Sequence, residues 1–183
     1  MKIKLAWAFM VVTLACLCWS ANGKSLVWTG ASSSNWSGSG NWKDTSTGAA
    51  ASFANGDDVL FDDSAVNKLV CTDGDVAPNS VIFDSSETYV LSNRVNGAHT
   101  YGLAEGTKSF VKRGSGTLEI WAYGWGDNQG NCMTCGVDIV AGTIKAMVAN
   151  KVNHLGNCKK PYTVTVRSGG RLWGTAHNLF GSL

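Results

Sequence analysis

The stretch GSGTLEI, residues 114–120, decides the fold, because close variants of it return as AGTIKAM at 141–147 and GGRLWGT at 169–175. Each copy places a glycine, then Thr or Arg, then an aliphatic residue: Leu118, Ile144 and Leu172. The copies are 26 and 28 residues apart (118 to 144, 144 to 172). A fixed period of roughly 20 to 50 residues is typical of stacked structural units rather than of a closed globule.

A second phrase upstream has the same property. DVLFD at 58–62 is followed by SVIFD at 80–84, a step of 22 residues. Both phrases belong to a series of short runs that alternate apolar and polar residues, separated by turns rich in glycine, which occurs 22 times. The sequence therefore predicts an all-β solenoid of about six or seven coils, in which aliphatic side chains stack inward on successive coils.

The N-terminus has the composition of a signal peptide. Two lysines in MKIK precede the apolar run LAWAFMVVTLACLC, and the small residues of ANG follow at 21–23. We expect residues 1–23 to be removed, with an uncleaved anchor or lipidation at Cys16 as the alternatives. No transmembrane helix is expected in the mature chain, residues 24–183.

Cleavage at this point also neutralises the chain. The full sequence has 15 Lys+Arg and 13 Asp+Glu; Lys2 and Lys4 leave with the signal peptide, so 13 of each sign remain. Binding to a nucleic-acid backbone needs clustered positive charge. Nucleic acid is therefore not expected as a partner.

Four cysteines remain in the mature chain: Cys71, Cys132, Cys135 and Cys158. In an exported protein an even number of cysteines favours disulfides, here two, with three possible connectivities. Zinc is an alternative, because CMTC has metal-ligand spacing and His154 precedes Cys158 by four residues, and free thiols are a third. We expect no metal and no cofactor.

The aspartates come in pairs that could suggest a hydrolase. Adjacent carboxylates on a strand point to opposite faces, so neither Asp57-Asp58 nor Asp62-Asp63 forms a facing pair by itself, although Asp58 and Asp62 could share a face. Calcium is an alternative at DGD (73–75), but this stretch lacks the further ligands of a calcium loop. Turn and strand-end positions explain all of the pairs more simply. No serine or histidine motif accompanies them, so we expect no catalytic residue and do not expect an enzyme.

The tryptophans divide into two groups. Trp28 and Trp42 are predicted to pack over the N-terminal end of the solenoid, where an exposed sheet edge would otherwise pair with other chains. In WAYGWG, Trp121, Tyr123 and Trp125 alternate and could line one face as a carbohydrate-binding strip. The alternative is that Trp121 and Trp173 pack inside.

These phrases, in this order, resemble bacterial autotransporter-associated β-strand repeat proteins. The resemblance covers roughly residues 26–181 and is carried by VWTG (27–30), GNW (40–42), NGDDVLFD (55–62), NSVIFDSSETYVLS (79–92), FVKRGSGTLEI (110–120), VDIVAGTIKAM (137–147) and TVTVRSGGRLWG (163–174). It implies a right-handed parallel β-helix within a secreted or surface-displayed passenger. Such passengers are usually longer and tend to avoid cysteine.

Together these features predict a cap region at 24–50 and β-solenoid repeats at 51–183, truncated at the C-terminus. The expected function is that of a non-catalytic exported surface scaffold or adhesin-like passenger segment, extracellular or on the bacterial cell surface. A secreted carbohydrate-binding β-helix module is the alternative, and a β-helical polysaccharide-degrading enzyme is a weaker one. Expected partners are surface glycans or ligands on host or neighbouring cells, together with self-association through an open C-terminal coil.

Overall fold

The computed structural model describes residues 23–95, 98–99, 102–122, 131, 133–147, 155 and 162–174, with only the backbone at 94–95 and 98–99. The described residues form strands and turns without a helix, which confirms the all-β prediction. The strands are β1 (Ser25–Trp28), β2 (Trp42–Asp44), β3 (Ala50–Ala51), β4 (Asp58–Asp62), β5 (Leu69–Cys71), β6 (Ser80–Asp84), β7 (Tyr89–Ser92), β8 (Arg94–Val95), β9 (Ala98–His99), β10 (Ser109–Arg113), β11 (Thr117–Trp121), β12 (Val137–Ala146) and β13 (Val164–Gly174).

Eleven of these strands form one mixed sheet in the order β3-β2-β1-β4-β6-β10-β12-β11-β7-β5, with β13 beside β12. β8 and β9 form a separate antiparallel hairpin. The first half of β12 pairs with β10 and its second half with β11, so the sheet curls back on itself at β12. We call β1, β4, β6, β10 and the first halves of β12 and β13 the first flank. The second flank is β5, β7, β11 and the second halves of β12 and β13.

Strand pairing within each flank is parallel and follows the sequence repeats. β4 pairs with β6 from Asp58 opposite Ser80 to Asp62 opposite Asp84, which is the step of 22 residues. On the second flank Leu118 lies opposite Ile144, and Ile144 lies opposite Leu172. The predicted register of both repeated phrases is therefore confirmed.

The core lies between the two flanks. Alternate residues of β4, β6 and β11 are buried, as expected of strands with one face covered. On the first flank the rings of Phe61 and Phe83 stack with centroids 4.3 Å apart, and Phe83 contacts Phe110 at 5.8 Å. Tyr89 of the second flank meets Phe61 and Phe83 at 5.8 and 5.6 Å, so both flanks share a single core.

The N-terminal end of this core is closed by tryptophans. The ring centroids of Trp28 and Trp42 are 5.0 Å apart, those of Trp36 and Trp42 5.1 Å, and each of the three side chains is at most 1% exposed. The indole N–H of Trp42 donates to the Trp36 carbonyl at 2.7 Å, and that of Trp28 to the Asn67 carbonyl at 2.8 Å. The predicted packing of Trp28 and Trp42 is confirmed, and Trp36 joins them.

Backbone pairing changes at the same end. β2 pairs antiparallel with β1 and with β3, whereas the later strands of the sheet are parallel. These three strands lie within or at the border of the region 24–50 that the sequence predicts as a cap. The predicted signal peptide lies outside the described residues except for Gly23. No helix among the described residues has the length and apolarity needed to cross a membrane.

Candidate binding surface

The paired aspartates stabilise turns. The Asp57 carboxylate accepts hydrogen bonds from the backbone N–H groups of Lys24 at 2.7 Å and Ala54 at 2.8 Å. Asp63 accepts from the Ser85 hydroxyl and the Ser86 N–H, and these bonds hold its pKa below the usual range. The interpretation of these carboxylates as turn and strand-end residues is confirmed.

Asp58 and Asp62 share the outer side of β4, as alternation requires, but each serves a separate contact. Asp58 accepts from the Asn79 amide at 2.8 Å and the Ser80 hydroxyl at 2.6 Å on the next strand. Asp62 accepts from the N–H and hydroxyl of Ser64, two residues ahead. The two carboxylates are thus engaged with different neighbours and do not face a common point.

The aspartates of the DGD stretch at 73–75 also make structural contacts. Asp73 accepts from the Ser37 N–H at 3.1 Å and from the Ser37 hydroxyl, which ties two loops together. Burial raises the pKa of the neighbouring Asp75 carboxyl. Within the part of the chain that the structure describes, no three His, Cys, Asp or Glu side chains are grouped so that they could hold a metal ion.

Two of the four cysteines are described, and both are free thiols. Cys71 is buried in β5 and Cys135 is half-buried just before β12, and burial raises both thiol pKa values. β5 is three strands from β12 through β7 and β11, or about 14 Å at the spacing of paired strands. A Cys71–Cys135 disulfide is therefore excluded, because bridged Cα atoms lie within about 7 Å. Cys132 and Cys158 lie outside the described residues.

The predicted aromatic strip is described only at its first member. Trp121 lies on the outer side of β11, half-buried, and its indole N–H donates to the Glu119 carboxylate at 3.1 Å. Tyr123 and Trp125 lie outside the described residues. The alternative that Trp121 and Trp173 pack inside is wrong, since Trp173 is 48% exposed and both residues follow an inward-facing aliphatic residue. Strand alternation from Ile120 and Leu172 could have placed both rings outside.

Trp173 belongs to a surface that sequence reasoning missed. It lies opposite Lys145, which lies opposite Glu119, so the three side chains form a ladder across β13, β12 and β11. The Lys145 ammonium is 3.8 Å from the Glu119 carboxylate and 5.9 Å from the centre of the Trp173 ring. A cation at this distance from an indole face is attracted to it.

A shallow groove of about 720 Å³ runs beside this ladder. We call it the tryptophan groove; its lining residues are Thr143, Lys145, Val166, Gly170, Arg171, Leu172 and Trp173. It combines an exposed indole, an aliphatic floor and two cationic side chains. An open surface of this composition can stack against a flat ligand and attract negative charge.

The second residue that sequence reasoning missed is Lys112. It is only 2% exposed, because it follows Phe110 by two positions on β10 and therefore points inward. Its ammonium donates to the carbonyls of Arg113 and Gly114, both at 2.8 Å, and to that of Ala141 at 3.4 Å. Burial lowers the Lys112 pKa. The side chain thus ties the corner after β10 to the corner within β12, which is a structural role.

Comparison of the chain with protein-family models, with curated protein sequences and with solved structures finds no match. The resemblance to autotransporter-associated repeats therefore depends on the quoted motifs and their spacing.

Proposed function

We propose that the chain is a segment of an exported, right-handed parallel β-helix that works as a non-catalytic surface scaffold, in the manner of an adhesin-like passenger. One observation carries the proposal: the inward ladder of Tyr89, Leu118, Ile144 and Leu172, formed by residues in register on consecutive parallel strands. Units of this kind cannot bury their apolar face alone, and stacking extends one core along an axis.

The course of the chain supports a helical winding. After β4, β6 and β10 of the first flank the chain turns into β5, β7 and β11 of the second flank, and then returns to the first. Connections between parallel strands are almost always right-handed. Six strand levels on the first flank support a solenoid of about six coils.

The use of charged groups supports a scaffold over an enzyme. A polysaccharide-degrading site would need facing carboxylates or a basic cluster. In the described coils the outer charges pair between neighbouring strands instead: Arg113 with Asp84 at 2.8 Å, and Arg167 with Asp138 at 2.7 Å. Such pairs connect one coil to the next.

Export and surface display can be tested directly. The chain with a C-terminal epitope tag would be expressed in a bacterial host, and the cells would be fractionated and treated with protease from outside. We expect a mature N-terminus at Lys24 by mass spectrometry and a protease-accessible tag outside the cytoplasm. A variant lacking residues 1–23 should stay inside. An intact N-terminus with cytoplasmic location of both chains would refute the proposal.

The tryptophan groove supports a second candidate function, carbohydrate binding. An indole ring that is 48% exposed offers an apolar plane for a sugar ring, and the adjacent Lys145 and Arg171 favour sugars that carry carboxylate or sulfate groups. The candidate site in this second proposal is Trp173 with Lys145, near the predicted Trp121.

A glycan array tests this second candidate. We expect acidic glycans to bind at low salt, and Trp173→Ala to weaken binding about tenfold, equivalent to about 1.4 kcal/mol. Leu69→Ala is the matched control, because Leu69 is 41% exposed on the second flank at β5, far from the groove. Equal binding by the two variants, or no glycan bound by the parent chain, would remove the groove as a site.

A further inference from the structure

The outer edge of β13 differs from the rest of the sheet. β13 is the longest described strand, with 11 residues, and it pairs on one side with β12; no described residue pairs with its other side. Its inward-facing residues are incompletely covered. Val166 lies opposite the fully buried Ile139 yet is 46% exposed, and Leu172 lies opposite the fully buried Ile144 yet is only half-buried.

We propose that two copies of this chain associate through this edge, with β13 antiparallel to β13 of the second copy about a two-fold axis near Gly169. The sheet bends within β13 as it does within β12, where the register shifts between Ile139 and Ala141. A two-fold axis through the bend places the first-flank half of one strand against the second-flank half of the other. The same surface then serves both copies, as a two-fold interface requires.

The register of such a pair is self-consistent. Pairing about Gly169 places Val166 opposite Leu172 of the second copy, and Val164 opposite Gly174. All four face inward, since their partners in β12 are the inward-facing Ile139, Ile144, Val137 and Ala146. Inward residues therefore meet inward residues, and the two exposed aliphatic side chains cover each other. The same pairing covers the tryptophan groove, because Val166 and Leu172 also line it. A shift by one residue would place them on opposite faces.

The charges of β13 are compatible with this register. Arg167 would lie opposite Arg171 of the second copy, and like charges opposite one another are unfavourable. Arg167 already makes two short hydrogen bonds to the Asp138 carboxylate, from its Nε at 2.8 Å and its Nη2 at 2.7 Å. The pair on each copy is close to neutral, which reduces the repulsion.

The opposite end of the molecule limits the assembly to two copies. There the core is covered by Trp28, Trp36 and Trp42, and the sheet continues into the antiparallel strands β2 and β3. The parallel edge strand at this end, β5, has three residues and already bridges to Asn35 through Cys71, so it cannot match the 11 residues of β13. Association through β13 therefore closes at a dimer instead of extending into a fibre.

The size of the contact predicts a weak dimer. Eleven residues extend over about 36 Å, and an edge of that length roughly 10 Å wide buries on the order of 700 Å² over both copies. Stable interfaces bury about 1,200 Å² or more. We therefore expect a concentration-dependent equilibrium rather than a permanent dimer.

Sedimentation velocity of the purified full chain, with its N-terminus determined by mass spectrometry, tests the proposal. We expect a monomer–dimer equilibrium that saturates at two copies, and at least a tenfold weaker association for Val166→Lys, because a charge on a strand edge blocks pairing. Val140→Lys is the matched control: Val140 is also an exposed valine, at 36%, but on the outer side of β12. A monomer at all concentrations, open-ended assembly, or equal weakening by both variants would overturn the proposal.

A cross-linking experiment answers the question without a destabilising charge. Ser168→Cys places a thiol beside the proposed axis, and a short bis-maleimide should join two copies within the dimer. Ala49→Cys places an exposed thiol at the closed end, where no cross-link above that of the parent chain is expected. Equal cross-linking of the two variants would overturn the dimer through β13, whatever the sedimentation result.

Discussion

Truncation of the inward ladder should cost very different amounts at its two ends. Leu118 is fully buried and lies between Tyr89 on one neighbouring strand and Ile144 on the other. Leu172 belongs to the same ladder, but among the described residues it has a strand neighbour on one side only, and it is half-buried. The substitutions Leu118→Ala and Leu172→Ala therefore remove the same atoms from two environments.

The magnitudes follow from burial. Removing a fully buried leucine side chain to Cβ costs about 3 to 5 kcal/mol, with the larger values where the surroundings cannot close the cavity. The strands on both sides of Leu118 are held by backbone hydrogen bonds at fixed spacing, so we expect about 4 kcal/mol. At Leu172 solvent already reaches the side chain, and about 1 kcal/mol is expected. The difference of about 3 kcal/mol is large compared with the 5 to 15 kcal/mol stability of a typical domain.

Urea unfolding at 25 °C, followed by far-ultraviolet circular dichroism and by tryptophan fluorescence, measures both changes, and coincidence of the two signals tests two-state behaviour. Equal losses at the two positions, or a loss below about 1.5 kcal/mol at Leu118, would refute the stacking model. A second matched pair checks orientation. Leu118→Asp buries an unpaired carboxylate and should prevent folding, whereas Thr117→Asp on the outer side should be tolerated.

Further predictions concern the alkaline pH range, one glycine and the thiols. Burial, and next the nearby acids, raise the pKa of Tyr89 in the folded chain, so above a pH of about 10 this tyrosine ionises more readily in the unfolded chain. The free energy of unfolding should then fall by up to about 1.4 kcal/mol per pH unit. Urea unfolding between about pH 9 and 12 measures this fall, and Tyr89→Phe should abolish the part due to Tyr89. Gly142→Ala should cost more than about 3 kcal/mol of stability in thermal or urea unfolding, because a Cβ there would overlap the backbone carbonyls of Gly114 and Gly116. Gly48 has the same φ of 72° but lies in open space, so Gly48→Ala is the control and should cost about 1 kcal/mol. Equal costs would mean that backbone strain alone determines the effect. Alkylation followed by non-reducing mass spectrometry of the exported chain should find no peptide that joins Cys71 to Cys135, and such a peptide would contradict the strand order.

The sequence by itself determined the elements and their register. Short alternating runs separated by glycine turns predict strands, and the steps of 22, 26 and 28 residues are the spacings at which strands lie opposite one another in the structure. A repeated phrase can do this because stacking demands the same residue type at the same position of every coil. The burial of Trp28 and Trp42 was predictable for a similar reason, since the first coil of a stack needs a cover.

Only the tertiary structure decided what the individual polar and aromatic side chains do. Lys112 is buried because two corners bring three carbonyls around an inward position, and no local pattern encodes a contact between residues 112 and 141. The ladder beside the tryptophan groove likewise joins Glu119, Lys145 and Trp173, which lie 26 and 28 residues apart along the chain. Periodicity determines which strands are neighbours and which side of a strand faces the core; the side-chain contacts across those neighbours depend on the packing of the whole stack.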